Sequence, residues 1–234
     1  MKLALLGYGR MGKAIEAIAI ARGHQVVAKI DKDNPDESIE AADVAINFSI
    51  PEAAVSNISN ALNQGIPVVC GTTGWLESRD AIELLCEEKK GAFLYASNFS
   101  LGVNLFFELN QRLAALMENY PQYTPELEEI HHTEKLDAPS GTAITLAEGI
   151  LPHSTFKYWK LAEEASKNDL SISAKREPKV PGTHTVTYHS ETDKISIEHI
   201  ANNRDGFALG AVVAAEWIAG KNGIFTMRDV LSIT

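Results

Sequence analysis

Between Glu129 and Ala143 the sequence EIHHTEKLDAPSGTA gathers two imidazoles, an ammonium group and a glycine-marked helix start within one short stretch. His131 and Lys135 can each deliver a proton at neutral pH when burial or neighbours draw their pKa values toward that range, as general-acid work requires. Ser140, Gly141 and Thr142 precede an apolar helical stretch and can present N–H and hydroxyl groups to a carboxylate. Together these residues describe a site for an anionic substrate that is protonated during reaction. The paired histidines also read as a solvated strand end or a metal site. Neighbouring strand residues point to opposite faces, which disfavours His131 and His132 ligating one ion, and no metal is expected.

A second cluster lies near the start. Gly7-Tyr8-Gly9-Arg10-Met11-Gly12 matches GxGxxG between an apolar run and a helical pattern, where glycines permit a tight turn and close approach of backbone to a pyrophosphate. Asp31 ends the next apolar run, placed to accept hydrogen bonds from an adenosine ribose. Lys32 either pairs with a 2′-phosphate or stands as an ordinary solvated lysine, so NADH or NADPH is the expected cofactor. The competing reading of the motif is a glycine-rich packing turn. Two later turns, Gly71-Thr72-Thr73-Gly74 and Ala96-Ser97-Asn98-Phe99-Ser100, follow further strand-like runs and would reach the same carboxyl edge of a sheet.

The elements that must position these groups follow from periodicity. Lys2–Leu6, Gln25–Ile30, Val44–Phe48, Val68–Val69 and Ala92–Ala96 read as strands, and Met11–Arg22 and about Glu77–Lys90 as helices, with Pro51 at a first helical position. Such alternation predicts an α/β, Rossmann-like doubly wound parallel sheet. A longer helix, roughly Val103–Glu118, leads away to Pro121 and Pro125, where composition and alternation change. Beyond it Glu126–His131, Leu170–Arg176, Thr183–His189 and Lys194–His199 read as strands of an antiparallel or mixed sheet with one exposed face, interrupted by a helix over Thr142–Ile150. A helix over Phe207–Ala219 and a turn at Met227–Leu231 close the chain. The expected division is a dinucleotide-binding domain over residues 1–100, a second α+β domain for substrate binding over 101–204, and a tail of about 205–234 packing back onto the first.

Composition narrows the partners. The 234 residues carry 31 acidic and 21 basic side chains, a formal net charge of −10, so phosphate backbones and anionic lipid surfaces are repelled. Nucleic acid and membrane are excluded as partners on that ground, and an anionic substrate must be caught by a local positive site. No apolar run approaches the roughly 20 residues of a bilayer span, and a cytoplasmic protein is expected. Cys70 and Cys86 have no CxxC spacing and read as buried reduced thiols, a catalytic role for Cys70 being the alternative.

The glycine motif with Arg10-Met11-Gly12, the Gly71–Gly74 turn, Asn98-Phe99-Ser100, the His131–Ala143 segment and the tail from Arg204 to Leu231 resemble the dihydrodipicolinate reductase family of lysine and diaminopimelate synthesis, in order along essentially the whole chain. The resemblance implies NAD(P)H-dependent reduction of 4-hydroxy-tetrahydrodipicolinate to tetrahydrodipicolinate, by hydride from the nicotinamide with protonation by the enzyme. It implies that His131 is a proton donor and acceptor and Lys135 a proton donor. His132, Gly141 and Thr142 are implied as substrate contacts, with Ser140 close to the carboxylates of a small dicarboxylate. Gly7, Tyr8, Gly9, Arg10, Met11 and Gly12 fall on the pyrophosphate loop, Asp31 and Lys32 on the ribose side, and Gly71, Thr72, Thr73, Ala96, Ser97, Asn98 and Phe99 on the nicotinamide side. Arg204 matches a residue near the cofactor, and a homotetramer built through the second domains is implied. The loop GYGRMG is one residue tighter than the family's common form. Rival readings are a non-catalytic NAD(H)-sensing protein and a related dehydrogenase of another small acid.

Overall fold

The computed structural model describes residues 1–203 and 205–233. In chain order it contains β1 (Lys2–Leu6), α1 (Arg10–Ala21), β2 (Gln25–Ile30), β3 (Val44–Asn47), α2 (Pro51–Asn63), β4 (Val68–Cys70), α3 (Arg79–Glu88), β5 (Ala92–Tyr95) and α4 (Leu101–Met117). There follow β6 (Thr124–His131), α5 (Gly141–Ile150), β7 (Tyr158–Leu161), β8 (Asp169–Arg176), β9 (Thr183–His189), β10 (Lys194–Ile200), α6 (Asp205–Ile218), β11 (Gly223–Phe225) and α7 (Met227–Val230). The chain divides into two compact units, Met1–Leu101 with Asp205–Thr234, and Gly102–Arg204.

The first unit is a parallel sheet in the order β11-β5-β4-β3-β1-β2. β3, β4 and β5 are buried along their whole length, as expected of apolar strands covered on both faces. One face packs Leu3, Leu5, Ile46 and Leu94 against Ile15 and Ala19 of α1 and the alanines of α6. The opposite face packs Ala4, Leu6, Ala45 and Phe93 against Ile58 and Leu62 of α2 and Ile82 and Cys86 of α3. Small residues let α6 come close: a Cβ on Gly210 would fall 1.6 Å from the Phe99 carbonyl oxygen, so only glycine allows that approach. Glu216 on α6 accepts from the Arg22 guanidinium at 2.8 Å and lies 2.7 Å from His24 Nε2, tying the helix to the end of α1. Cys70 and Cys86 are free and buried.

The second unit is a mixed sheet in the order β10-β9-β6-β8-β7. β6 runs antiparallel to β9 and parallel to β8, and β7 is parallel to β8. One face carries Leu127, Leu170, Ile172, Val186 and Tyr188 against Phe106 of α4 and Leu146 and Ile150 of α5. The burial of β6 alternates strictly, so Pro125, Leu127, Glu129 and His131 share the inner face. In register, Glu129 faces His184 of β9 and His131 faces Arg176 of β8.

Three elements differ from the expectations of periodicity. β7 and β11 are strands that the pattern did not announce, because each is short and none of its residues is fully buried. β11 is stabilised by pairing with β5, far back along the chain, a non-local term invisible to a local window, and β7 pairs with the next strand, β8. The closing turn at Met227 is a helical turn with a capping box, Thr226 receiving an N–H and Asp229 Oδ2 accepting from Thr226 N at 2.7 Å. Among the described residues, no helix is long and apolar enough to cross a membrane.

Candidate active site

The acid-base segment is built on the last inward position of β6 and the loop that follows. Glu129 is fully buried. The backbone N–H of Ser140 donates to both its oxygens at 3.1 Å, and Nη1 and Nη2 of Arg176 approach its Oε1 at 3.4 Å. Arg176 also donates to the carbonyls of Lys135 and Asp137 at 3.3 and 2.6 Å. One carboxylate and one guanidinium therefore fasten the whole loop from Lys135 to Ser140 onto the sheet.

Ser140 caps α5, its hydroxyl accepting from Ala143 N at 3.2 Å and lying 3.2 Å from His184 Nε2. Gly141 and Thr142 form the first turn of α5, where the early N–H groups have no intrahelical acceptor. A Cβ on Gly141 would meet no atom within 4 Å, so the space before this helix end is open. Lys135 Nζ donates to Asp137 at 2.7 and 2.8 Å, which holds the Asp137 carboxyl below the ordinary range.

His131 is buried, its ring edge-on to that of His184 with centroids 5.0 Å apart. Burial pushes its pKa down, nearby Glu129 opposes that, and Lys135 and Arg176 add to it. Burial holds His184 far lower, at about 3, so it is a neutral imidazole at neutral pH. His132 sits apart from this cluster, lining a hollow with Lys179, Pro181 and Asn203. Glu129, His131 and His184 each offer a ligand atom, all within 4.8 Å of one another. The Arg176 guanidinium already supplies the positive charge beside Glu129, so this set suits a divalent cation poorly.

At the carboxyl edge of the parallel sheet lies a cavity of about 690 Å³ lined by Gly7, Tyr8, Gly9, Asp31, Lys32, Phe48 and Ser49 among others. It opens where the strand order reverses between β1 and β3, the usual ligand crevice of such sheets. Gly7 has φ +106°, and a Cβ there would lie 2.2 Å from the Phe48 carbonyl oxygen; one on Gly12 would lie 2.3 Å from that of Gly7. Gly9 is the N-cap of α1 without a side-chain cap or an acidic first turn, and nothing stands within 4 Å of where its Cβ would be. The residues present thus fit a dinucleotide, with an open, uncapped helix start for the pyrophosphate. Asp31 Oδ1 accepts from the N–H groups of Asp33 and Asn34 at 2.8 and 3.1 Å, which orients its carboxylate.

Other nominated residues act from behind. Thr72 is buried, its Oγ1 accepting from Ser49 N at 2.9 Å, and Phe99 is buried with its ring 5.5 Å from that of Phe48. Their side chains hold the loops in place and do not face the cavity. A Cβ on Gly71 would strike the Phe48 ring at 2.2 Å. Asn98 Oδ1 accepts from Ser100 N at 2.9 Å, shaping its turn, while Thr73 and Ser97 are exposed and Ala96 is partly so. Arg10 is exposed and Met11 packs against the core beneath α1. Arg204 lies outside the described residues.

Glu129, Arg176 and His184 were not singled out from sequence. For Glu129 a signal existed: the alternation that puts Leu127 and His131 inward puts a carboxylate inward too. Arg176 and His184 carry no local signal, since strand register alone brings them to β6.

Two family models match the chain, "Dihydrodipicolinate reductase, N-terminus" over residues 1–99 and "Dihydrodipicolinate reductase, C-terminus" over 102–231. A 4-hydroxy-tetrahydrodipicolinate reductase of Christiangramia forsetii is 57% identical, the match covering 99% of this chain and 98% of that one. The enzyme of the same name from Lawsonia intracellularis is 32% identical over 95% and 96% of the two chains. Among solved structures, a dipicolinate-bound dihydrodipicolinate reductase from Paenisporosarcina sp. TG-14 has the same fold, with TM-score 0.76, 22% identity and 97% of each chain covered.

Proposed function

The chain belongs to the dihydrodipicolinate reductase family, and from that premise we propose that it is the NAD(P)H-dependent reductase converting 4-hydroxy-tetrahydrodipicolinate to tetrahydrodipicolinate in lysine and diaminopimelate synthesis. The net change replaces a hydroxyl by hydrogen: one hydride and one proton enter, and water leaves. NADH or NADPH, when bound, supplies the hydride. The glycine loop and α1 bind its pyrophosphate, and Asp31 with Lys32 lies on the ribose side.

His131 and Lys135 are assigned the proton transfers. Lys135 and the open first turn of α5 at Ser140, Gly141 and Thr142 are assigned the two carboxylates, and His132 a flanking contact. One observation carries this reading: the carboxylate of Glu129, beside His131, also accepts the Ser140 N–H, so the acid-base residue and the anion-accepting helix start share one rigid frame. A local positive site of this kind offsets the repulsion of a chain with net charge −10 toward a dianion. Homotetramer assembly through the outer face of the second unit's sheet, and a cytoplasmic setting, belong to the same proposal; the latter is supported by two free thiols and the absence of disulfides among the described residues.

The test is loss of NADH absorbance, and separately NADPH absorbance, when the protein meets the condensation product of pyruvate and aspartate semialdehyde generated in situ. Oxidation abolished by His131→Ala with Lys135→Ala supports the assignment. Cofactor binding without oxidation refutes it in favour of a sensor or another substrate.

A further inference from the structure

We propose that Glu129 is the positioning residue for His131, holding the imidazole as the tautomer protonated on Nδ1 so that Nε2 is the nitrogen that exchanges the reaction's proton. The use of that proton rests on the reductase reading above, whereas the tautomer does not.

The first observation is geometric. Glu129 Oε2 lies 3.4 Å from His131 Nδ1, and both groups project from the inner face of β6. A carboxylate accepts hydrogen bonds and cannot give them, so a proton is favoured on the facing nitrogen. His131 Nδ1 is buried and makes no formed hydrogen bond among the described residues, Glu129 included. At 3.4 Å the pair is an ion-pair contact and not a formed N–H···O hydrogen bond; catalytic contacts are often long and poorly aligned until substrate tightens them.

The second observation concerns the opposite edge of the ring. A Cβ on Gly182 would lie 3.1 Å from His131 Nε2 and 3.3 Å from its Cδ2. Gly182 does not have the positive φ that demands glycine, so its missing side chain serves space: it keeps the Nε2 edge uncrowded.

The charged surroundings make Glu129 the group that matters. Around His131 stand Glu129 on its own strand, His132 and Lys135 in the loop, Arg176 on β8 and His184 on β9. Burial is the largest influence against an imidazolium, Lys135, Arg176 and His132 disfavour it further, and Glu129 alone among the charged groups favours it. A fully buried carboxylate is costly to desolvate, which Arg176 and the Ser140 N–H offset. Apolar packing would have served stability as well, so its presence beside the acid-base residue points to function.

Two measurements decide this. In Glu129→Gln the amide oxygen is held by Ser140 N–H and Arg176, which turns the amide N–H toward His131 Nδ1 and forces the other tautomer. The expected result is a fall in kcat of about tenfold or more, an NADH Kd unchanged within about twofold, and movement of the His131 limb of the kcat–pH profile to lower pH by about one unit. Glu129→Asp, which keeps the charge, retains that limb. An unmoved limb in Glu129→Gln overturns the proposal. Should that variant not fold, long-range ¹H–¹⁵N correlation on wild-type protein with ¹⁵N-histidine reads the tautomer directly, the His131 signals being assigned by their loss in His131→Gln. A proton on Nδ1 is expected above the His131 pKa, and a proton on Nε2 overturns the proposal. Absence of turnover by the wild type refutes the reductase reading instead, and the tautomer then decides this proposal alone.

Discussion

Replacing His184 with glutamine should make the protein less sensitive to acid. Burial holds this imidazole at about 3 in the folded chain, against 6.5 for an ordinary histidine. The unfolded chain therefore binds a proton that the native state refuses, and stability present above about pH 6.5 is lost as pH falls toward 3. At about pH 4.5 the unfolded imidazole is two units below its pKa, which at 1.36 kcal/mol per unit disfavours the fold by about 2.7 kcal/mol. At neutral pH the same term is close to zero. Glutamine carries no such proton but loosens the contact with Ser140 Oγ, 3.2 Å from Nε2, at a cost of about 1 kcal/mol. The variant is then expected to be less stable than wild type at pH 7 and more stable at about pH 4.5, the two differences separated by about 2.5 kcal/mol. Urea unfolding of both proteins at the two pH values, followed by far-UV circular dichroism, reads this crossover. His131 and His199 titrate in both proteins, so their contributions largely cancel. A stability difference that is the same at both pH values would refute the burial argument.

Other substitutions separate the roles of the remaining groups. His131→Gln should lower kcat by about 100-fold or more with little change in substrate KM, whereas Thr142→Val, at the start of α5, should mainly raise KM; equal losses in both would count against the assigned roles. Gly12→Ala places a Cβ 2.3 Å from the Gly7 carbonyl oxygen and should weaken NADH binding by at least about tenfold in a fluorescence titration; an unchanged Kd would show that the loop can give way. Glu216 is held at about 2, chiefly by its hydrogen bond with Arg22. Its folded pKa is depressed, so the stability it adds is present above about pH 4.5 and lost as pH falls to about 2. Allowing for the exposure of Arg22, Glu216→Gln should cost about 1–2 kcal/mol at neutral pH, with the difference vanishing near pH 2 in thermal or urea unfolding.

Much of the architecture was legible from local pattern. The buried runs Leu3–Leu6, Val44–Asn47 and Ala92–Tyr95 and the amphipathic helix after Gly9 announce a parallel sheet with helices, because a strand covered on both faces is largely apolar. Gly7, Gly9 and Gly12 were legible as a tight glycine turn opening a helix; at Gly7 and Gly12 a Cβ would strike backbone, while Gly9 leaves the helix start open. His131, Lys135 and the Ser140–Thr142 helix start were legible because they lie close together in sequence. β11 was not, for its partner strand β5 lies far back along the chain, and β7 was not, being four residues long with none fully buried.

Residue identity and spacing thus determined which groups are candidates for the chemistry and on which kinds of element they sit. Tertiary structure decided what surrounds them. The register of β6 against β8 and β9 brings Arg176 and His184 to Glu129 and His131 across dozens of residues of sequence, and this sets the burial and charge that shift the imidazoles. The same folding turned Thr72 and Phe99 inward, although their sequence positions suggested contact with a ligand. The reason is physical: a pKa and a side chain's direction depend on desolvation and neighbours in space, which no local window of sequence contains.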